Sequence, residues 1–239
     1  MGSRLKSETK NNPKALTVIN GHTIIDVILN NCVINEINEV VIITGYDKTS
    51  IRSYLDGRWD NLNIDYIYND EWNLENGISV LKAKSAIGHN DEFMISMSYH
   101  LYFADMMKEI KESSLSNHVV NVGLDFNIND IFDIDDGMKV FAQPDTMMVK
   151  SMSKKLKNFN AIDVGLFKCS YQFFSFLENL NKNSSCSLSA GCNELIDREL
   201  LGGVDIKDSF WLDIDTPDAL HFSRNNSQVS ELLKNQSLN

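Results

Sequence analysis

Near its amino end the chain reads Gly2-Ser3-Arg4-Leu5, then Asn12-Pro13-Lys14-Ala15-Leu16. A small residue, a hydroxyl and a cation in succession can wrap a phosphate chain. Backbone N–H groups and the Arg4 guanidinium would meet the oxygens, and Lys14 would add a point charge one loop further on. The same tripeptide also serves as an ordinary solvated loop, so both readings stand on the residues alone. Near the carboxyl end stands Phe210-Trp211-Leu212-Asp213-Ile214-Asp215-Thr216-Pro217. Asp213 and Asp215 are two residues apart in a strand-like apolar setting, which turns both carboxylates to one face. Acids crowded there repel unless a cation or basic group lies between them. Either they hold a divalent cation, or Asp215 caps the helix that Thr216-Pro217-Asp218 announces.

Such groups need a scaffold, and the composition permits one. The chain has 239 residues, 43% of them hydrophobic, which suffices for a sizeable core and argues against disorder. With 22 Lys+Arg against 33 Asp+Glu the net charge is −11, so an extended cationic stripe for nucleic acid is lacking. No apolar run approaches the ~20 residues of a membrane span, and no secretory leader is read. Cys32, Cys169, Cys186 and Cys192 form no C-x-x-C pair, which disfavours a zinc site or disulfide scaffold. A reduced, cytoplasmic protein is expected.

The pattern alternates strands and helices. Apolar runs at Glu39–Thr44, Ile64–Tyr68 and Phe93–Met97 read as strands, the first of them buried. Thr23–Val33 and Asn76–Ala86 read as helices. That alternation predicts a mostly parallel α/β sheet flanked by helices. Val119–Val122, Lys139–Gln143, Met147–Lys150 and Ala161–Phe167 follow with short connections, predicting a small antiparallel insertion over about 119–168. Phe173–Leu180 and Leu195–Leu200 read as helices. From Ser223 the sequence is rich in Asn, Ser and Gln. The expected layout is one domain over 1–222 and a polar tail over 223–239. Asp125-x-Asn127-x-Asn129 lacks the Gly and Glu that a calcium loop needs at its sixth and twelfth positions.

Several segments together resemble a known superfamily. Gly2-Ser3-Arg4-Leu5, Asn12 to Leu16, Ile19-Asn20-Gly21-His22 and Ile42-Ile43-Thr44-Gly45-Tyr46 resemble the front of the sugar-nucleotidyltransferases. Asn76 to Leu81, Met97 to Tyr102, Lys139-Val140, Lys154-Lys155-Leu156, Phe159 to Gly165 and Trp211 to Pro217 are similar to the inositol-1-phosphate cytidylyltransferases among them. The resemblance runs to about residue 222. It implies a Rossmann-like nucleotidyltransferase fold and transfer from CTP to a small phosphorylated alcohol. Inositol 1-phosphate leads as acceptor; phosphocholine, aminoethylphosphonate or a sugar 1-phosphate are alternatives. Pyrophosphate is released.

It also implies roles. Gly2, Ser3 and Arg4 would cradle the triphosphate, and Lys14 would neutralise charge at the transferring phosphate; Arg4 and Lys14 are the catalytic candidates. Asn76 and Ser79 would lie near the nucleotide's base or ribose. Lys139 and Lys154 would face the acceptor phosphate, with Asp163 and Gly165 shaping that wall, and Asp213 or Asp215 would hold Mg²⁺. A separate membrane phosphatidyltransferase-type partner is implied as well.

Two departures from the resemblance stand out. An apolar strand ending in Ala-Ala-Gly normally precedes the Gly-Ser-Arg segment. Here the sequence begins at Met1-Gly2, so the first strand is expected to be missing through a late start, leaving unpaired neighbours. The second is Ser98-Tyr99-His100, where the pattern is Ser-Asp-His with the aspartate on the metal. A phenol is a poor Mg²⁺ ligand at neutral pH. That substitution predicts either a slow enzyme or a binding protein without turnover.

Overall fold

The computed structural model describes Leu5 and residues 12–183 and 185–234. In chain order the strands are β1 (Val18–Ile19), β2 (His22–Thr23), β3 (Glu39–Thr44), β4 (Asn63–Tyr68), β5 (Glu92–Ser96) and β6 (His100–Tyr102). They continue as β7 (Val120–Asp125), β8 (Lys139–Ala142), β9 (Val149–Ser153), β10 (Ala161–Ser170), β11 (Leu201–Asp205) and β12 (Trp211–Asp213). The fold is mixed α/β, and the chain divides into two compact units. One holds residues up to 70, 97–107 and from 209 onward; the other holds 71–96 and 108–208. The antiparallel strands of 119–168 belong to the larger body of the second.

In the first unit the helix Ile24–Ile34 starts where the Thr23 side chain accepts from the Asp26 N–H. It buries Ile24, Ile25, Val27 and Leu29. β3 and β4 pair in parallel, from Glu39 opposite Asn63 to Thr44 opposite Tyr68. The sequence predicts a buried β3, and Val40 to Ile43 are half-buried. Among the described residues, β4 is its one strand partner. β6 and β12 pair antiparallel, with Asp213 opposite His100 and Trp211 opposite Tyr102.

In the second unit the long β10 is central. It pairs antiparallel with β5, β7 and β8, while β7 takes β11 in parallel on its other side. The buried faces of β7 and β10 make the core with Phe173, Phe174 and Leu177 of the helix Phe173–Asn183.

Two expectations fail locally. Leu195–Leu200 is not a helix of its own: the helix runs Leu188–Ile196, and the chain turns through positive φ at Glu199 into β11. Gly202-Gly203 hid that strand. A Cβ at Gly202 would stand 2.2 Å from His118 Nδ1 and 2.4 Å from Asn121 Oδ1, so close packing, not strand propensity, sets the residue there. Nor are residues 223–234 a polar tail. They continue the helix Pro217–Asn225 and form a second helix, Ser227–Lys234, which buries Val229, Leu232 and Leu233. Spacing i, i+3, i+4 makes an apolar stripe from few residues. No helix among the described residues is long and apolar enough to cross a membrane.

All four cysteines are free and buried. Burial pushes the Cys32 thiol up to about 12, and raises those of Cys169, Cys186 and Cys192 as well. Since the thiolate is the reactive form, a disulfide reagent at pH 8 should leave the native thiols largely unmodified and titrate all four in denaturant. Leu232→Asp should lower unfolding free energy by about 3 kcal/mol in a urea titration, through an unpaired charge on a buried helix face.

Candidate active site

Lys14 opens a short 3-10 turn, Lys14–Leu16, entered from Pro13. Its ammonium lies 3.8 Å from Asp215 Oδ2, and both side chains are largely enclosed. The competing role for Asp215 falls away, because the helix Pro217–Asn225 is capped by Thr216, whose Oγ1 accepts from the Ala219 N–H at 3.2 Å. Asp215 is left to face the lysine.

The β6–β12 register builds the rest. His100 stands opposite Asp213, and its Nε2 is 3.6 Å from Asp213 Oδ2. Trp211 is two residues before Asp213 and so shares its face; its ring stacks on the His100 imidazole at 5.7 Å. The Tyr99 ring meets the His100 imidazole edge-on at 4.9 Å. Lys14 Nζ stands over the face of that ring, 4.6 Å from its centroid. The Ile214 N–H donates to the Tyr99 carbonyl at 2.9 Å, locking the turn before β6 to the residues after β12.

Asp213 Oδ1 is buried and has no hydrogen-bond partner among the described residues. An unpaired buried carboxylate oxygen is costly, and it is a hard oxygen donor of the kind Mg²⁺ selects. The residues therefore fit a divalent cation. They do not form a protein cage, since no group of three or more His, Cys, Asp and Glu among the described residues could hold a metal. Remaining ligands would come from phosphate oxygens and water, as magnesium favours.

The other candidates lie in the second unit. Asn76 and Ser79 share one face of the helix Asn76–Ala83; Asn76 Oδ1 accepts from the Leu188 N–H at 2.8 Å. Lys139 and Lys154 are brought together, but Lys139 Nζ donates to the carbonyls of Ile134, Asp135 and Lys154 at 3.0, 3.0 and 3.2 Å. That is the geometry of a loop clamp. Lys154 Nζ meets Asp136 Oδ1 at 2.9 Å and is half exposed. Asp163 Oδ1 accepts from the Gly165 N–H at 2.7 Å, and Gly165 has φ of +74°. These two shape the irregularity where β10 shifts register against β7. Gly2, Ser3 and Arg4 lie outside the described residues.

Sequence reasoning missed the aromatic surround of Lys14. Nor did it set Trp211 against His100. Alternation puts Trp211 and Asp213 on one face, but which residue lies opposite them is a matter of register.

A model of the nucleotidyl transferase family matches residues 1–228. Over 219 residues the chain is 26% identical to the "Bifunctional IPC transferase and DIPP synthase" of Aquifex aeolicus, covering 91% of this chain and 47% of the relative. It is 25% identical over 219 residues to the "Bifunctional protein GlmU" of Methanococcus vannielii, covering 90% of this chain and 50% of the relative. The chain thus spans about half the length of these curated relatives. The structure of the inositol-1-phosphate CTP transferase from T. maritima superposes with a TM-score of 0.84 at 19% identity, over 98% of this chain and 91% of that one. At that identity the likeness is one of fold.

If Lys139 acts as a loop clamp, Lys139→Met should lower unfolding free energy by about 1–2 kcal/mol in urea. Unchanged stability would return the lysine to the role of an exposed phosphate ligand.

Proposed function

We propose, from the premise that this chain belongs to the nucleotidyl transferase family, that it joins CTP to a small phosphorylated alcohol, inositol 1-phosphate foremost. The products are a CDP-alcohol and pyrophosphate. One observation carries this reading: within one unit Lys14 lies 3.8 Å from Asp215 Oδ2, and the pairing of β6 with β12 sets Asp213, with its unpaired oxygen, two residues before Asp215. A cation for phosphate and carboxylates for a divalent ion are the two things that charge-dense substrates require.

An oxygen of the acceptor phosphate attacks the α-phosphorus of CTP. A new P–O bond forms as the bond to the bridging α–β oxygen breaks, and that oxygen leaves with the electron pair as pyrophosphate. Such transfers ask little covalent work of the protein, so positioning and neutralisation dominate. Lys14 neutralises charge at the transferring phosphate, with Arg4, Gly2 and Ser3 around the triphosphate. Asp213 and Asp215 would hold Mg²⁺, which would supply neutralisation of the phosphate charge. Asn76 and Ser79 face the nucleoside. Lys154, Asp163 and Gly165 form the acceptor wall, which Lys139 braces. A phosphatidyltransferase-type partner then consumes the CDP-alcohol.

Tyr99 favours a second reading, a nucleotide-binding protein without turnover, because it stands where the resemblance places a metal-binding aspartate. One assay separates the two. Protein, CTP, Mg²⁺ and inositol 1-phosphate should release pyrophosphate, and Lys14→Met should cut kcat/KM by about 10²–10³. CTP binding without pyrophosphate release supports the second reading. No release even by Tyr99→Asp, tried with the alternative acceptors, removes the first.

A further inference from the structure

We infer that Tyr99 is a positioning residue for Lys14: its aromatic face presents the ammonium to an incoming nucleotide phosphate while adding no negative charge to the site. This rests on the nucleotide reading above and deepens it. Three observations support it. Lys14 Nζ is 4.6 Å from the Tyr99 ring centroid, within the range where the ring quadrupole attracts a cation. The same ammonium lies 3.8 Å from Asp215 Oδ2, a longer contact than a close charge-assisted hydrogen bond. And the ring is itself held in place, edge-on to His100 at 4.9 Å, with its backbone carbonyl accepting from Ile214 N–H at 2.9 Å.

The charge arithmetic separates an aromatic face from a carboxylate at this position. Lys14, Asp213 and Asp215 sum to −1, and Tyr99 leaves that sum unchanged. A carboxylate at 99 would make it −2, and an incoming triphosphate would then meet stronger repulsion unless a divalent cation offset it. The face of Tyr99 thus supports a site whose affinity for nucleotide depends less on Mg²⁺ than a carboxylate there would require. The role assigned here is that of the ring face.

The test is calorimetric titration of the full chain with CTP, with and without Mg²⁺, beside NMR of the Lys14 ε-methylene. Tyr99→Phe should bind CTP within about twofold of the wild type and keep the upfield ring-current displacement of the Lys14 signal. Tyr99→Leu should lose that displacement and bind about tenfold more weakly. Tyr99→Asp should lose more affinity without Mg²⁺ than with it. In a Lys14→Met background Tyr99→Leu should have no further effect, an outcome that a general packing role for the ring would not produce. Equal binding by Tyr99→Leu and wild type, or a further loss in the Lys14→Met background, overturns the inference while leaving the nucleotide reading intact. Absence of CTP binding by the wild type overturns both.

Discussion

The site depends on one antiparallel pairing. β6 and β12 are three residues each, yet their register decides which groups meet: His100 falls opposite Asp213, and the bond from Ile214 N–H to the Tyr99 carbonyl continues the ladder past its end. Segments more than a hundred residues apart in sequence are fixed to within a hydrogen bond of each other. A slip of one residue would turn Trp211 and Asp213 to the opposite face and dismantle the stack around His100. Leu101 and Leu212, paired and buried on the other face, oppose such a slip because it would carry them to the wrong side.

Around that pairing the site is built from weak interactions that reinforce one another. The Lys14–Asp215 contact is long for an ion pair, and the Tyr99 face adds a second, uncharged hold. In a chain of net charge −11, long-range steering of anionic substrates is unfavourable. Local geometry must therefore do what the overall field does not. Enclosure of Lys14 and Asp215 lowers the local dielectric and strengthens the contact beyond its worth at an exposed surface.

The fold and the site differed in how much of them could be read in advance. Periodicity located the helix beginning at Ile24 and the strands β4, β5, β7, β8, β9 and β10, because a buried face imposes its period on the residues. It missed β11, where Gly202 and Gly203 answer to the approach of His118, Asn121 and Leu124 and carry no strand signature. It missed the helix Ser227–Lys234, where three apolar residues in eight suffice once a surface exists to receive them. It overstated the burial of β3, since apolar composition records the environment a strand suits, whereas burial depends on which neighbours are present. Lys139 shows the same limit at a site residue: its chemistry suits phosphate, but three carbonyl oxygens take its donors.

By itself the sequence determined the fold class, the nucleotidyltransferase kinship and the residues able to handle charge, because these follow from residue type, order and spacing along one chain. Tertiary structure alone decided that Thr216 and not Asp215 caps the helix, that Lys14 lies beside both Asp215 and the Tyr99 ring, and that Asp213 keeps a buried oxygen unpaired. Those outcomes rest on strand register and on through-space distances of a few ångströms between groups remote in sequence. Neither quantity is carried by any local pattern of residues.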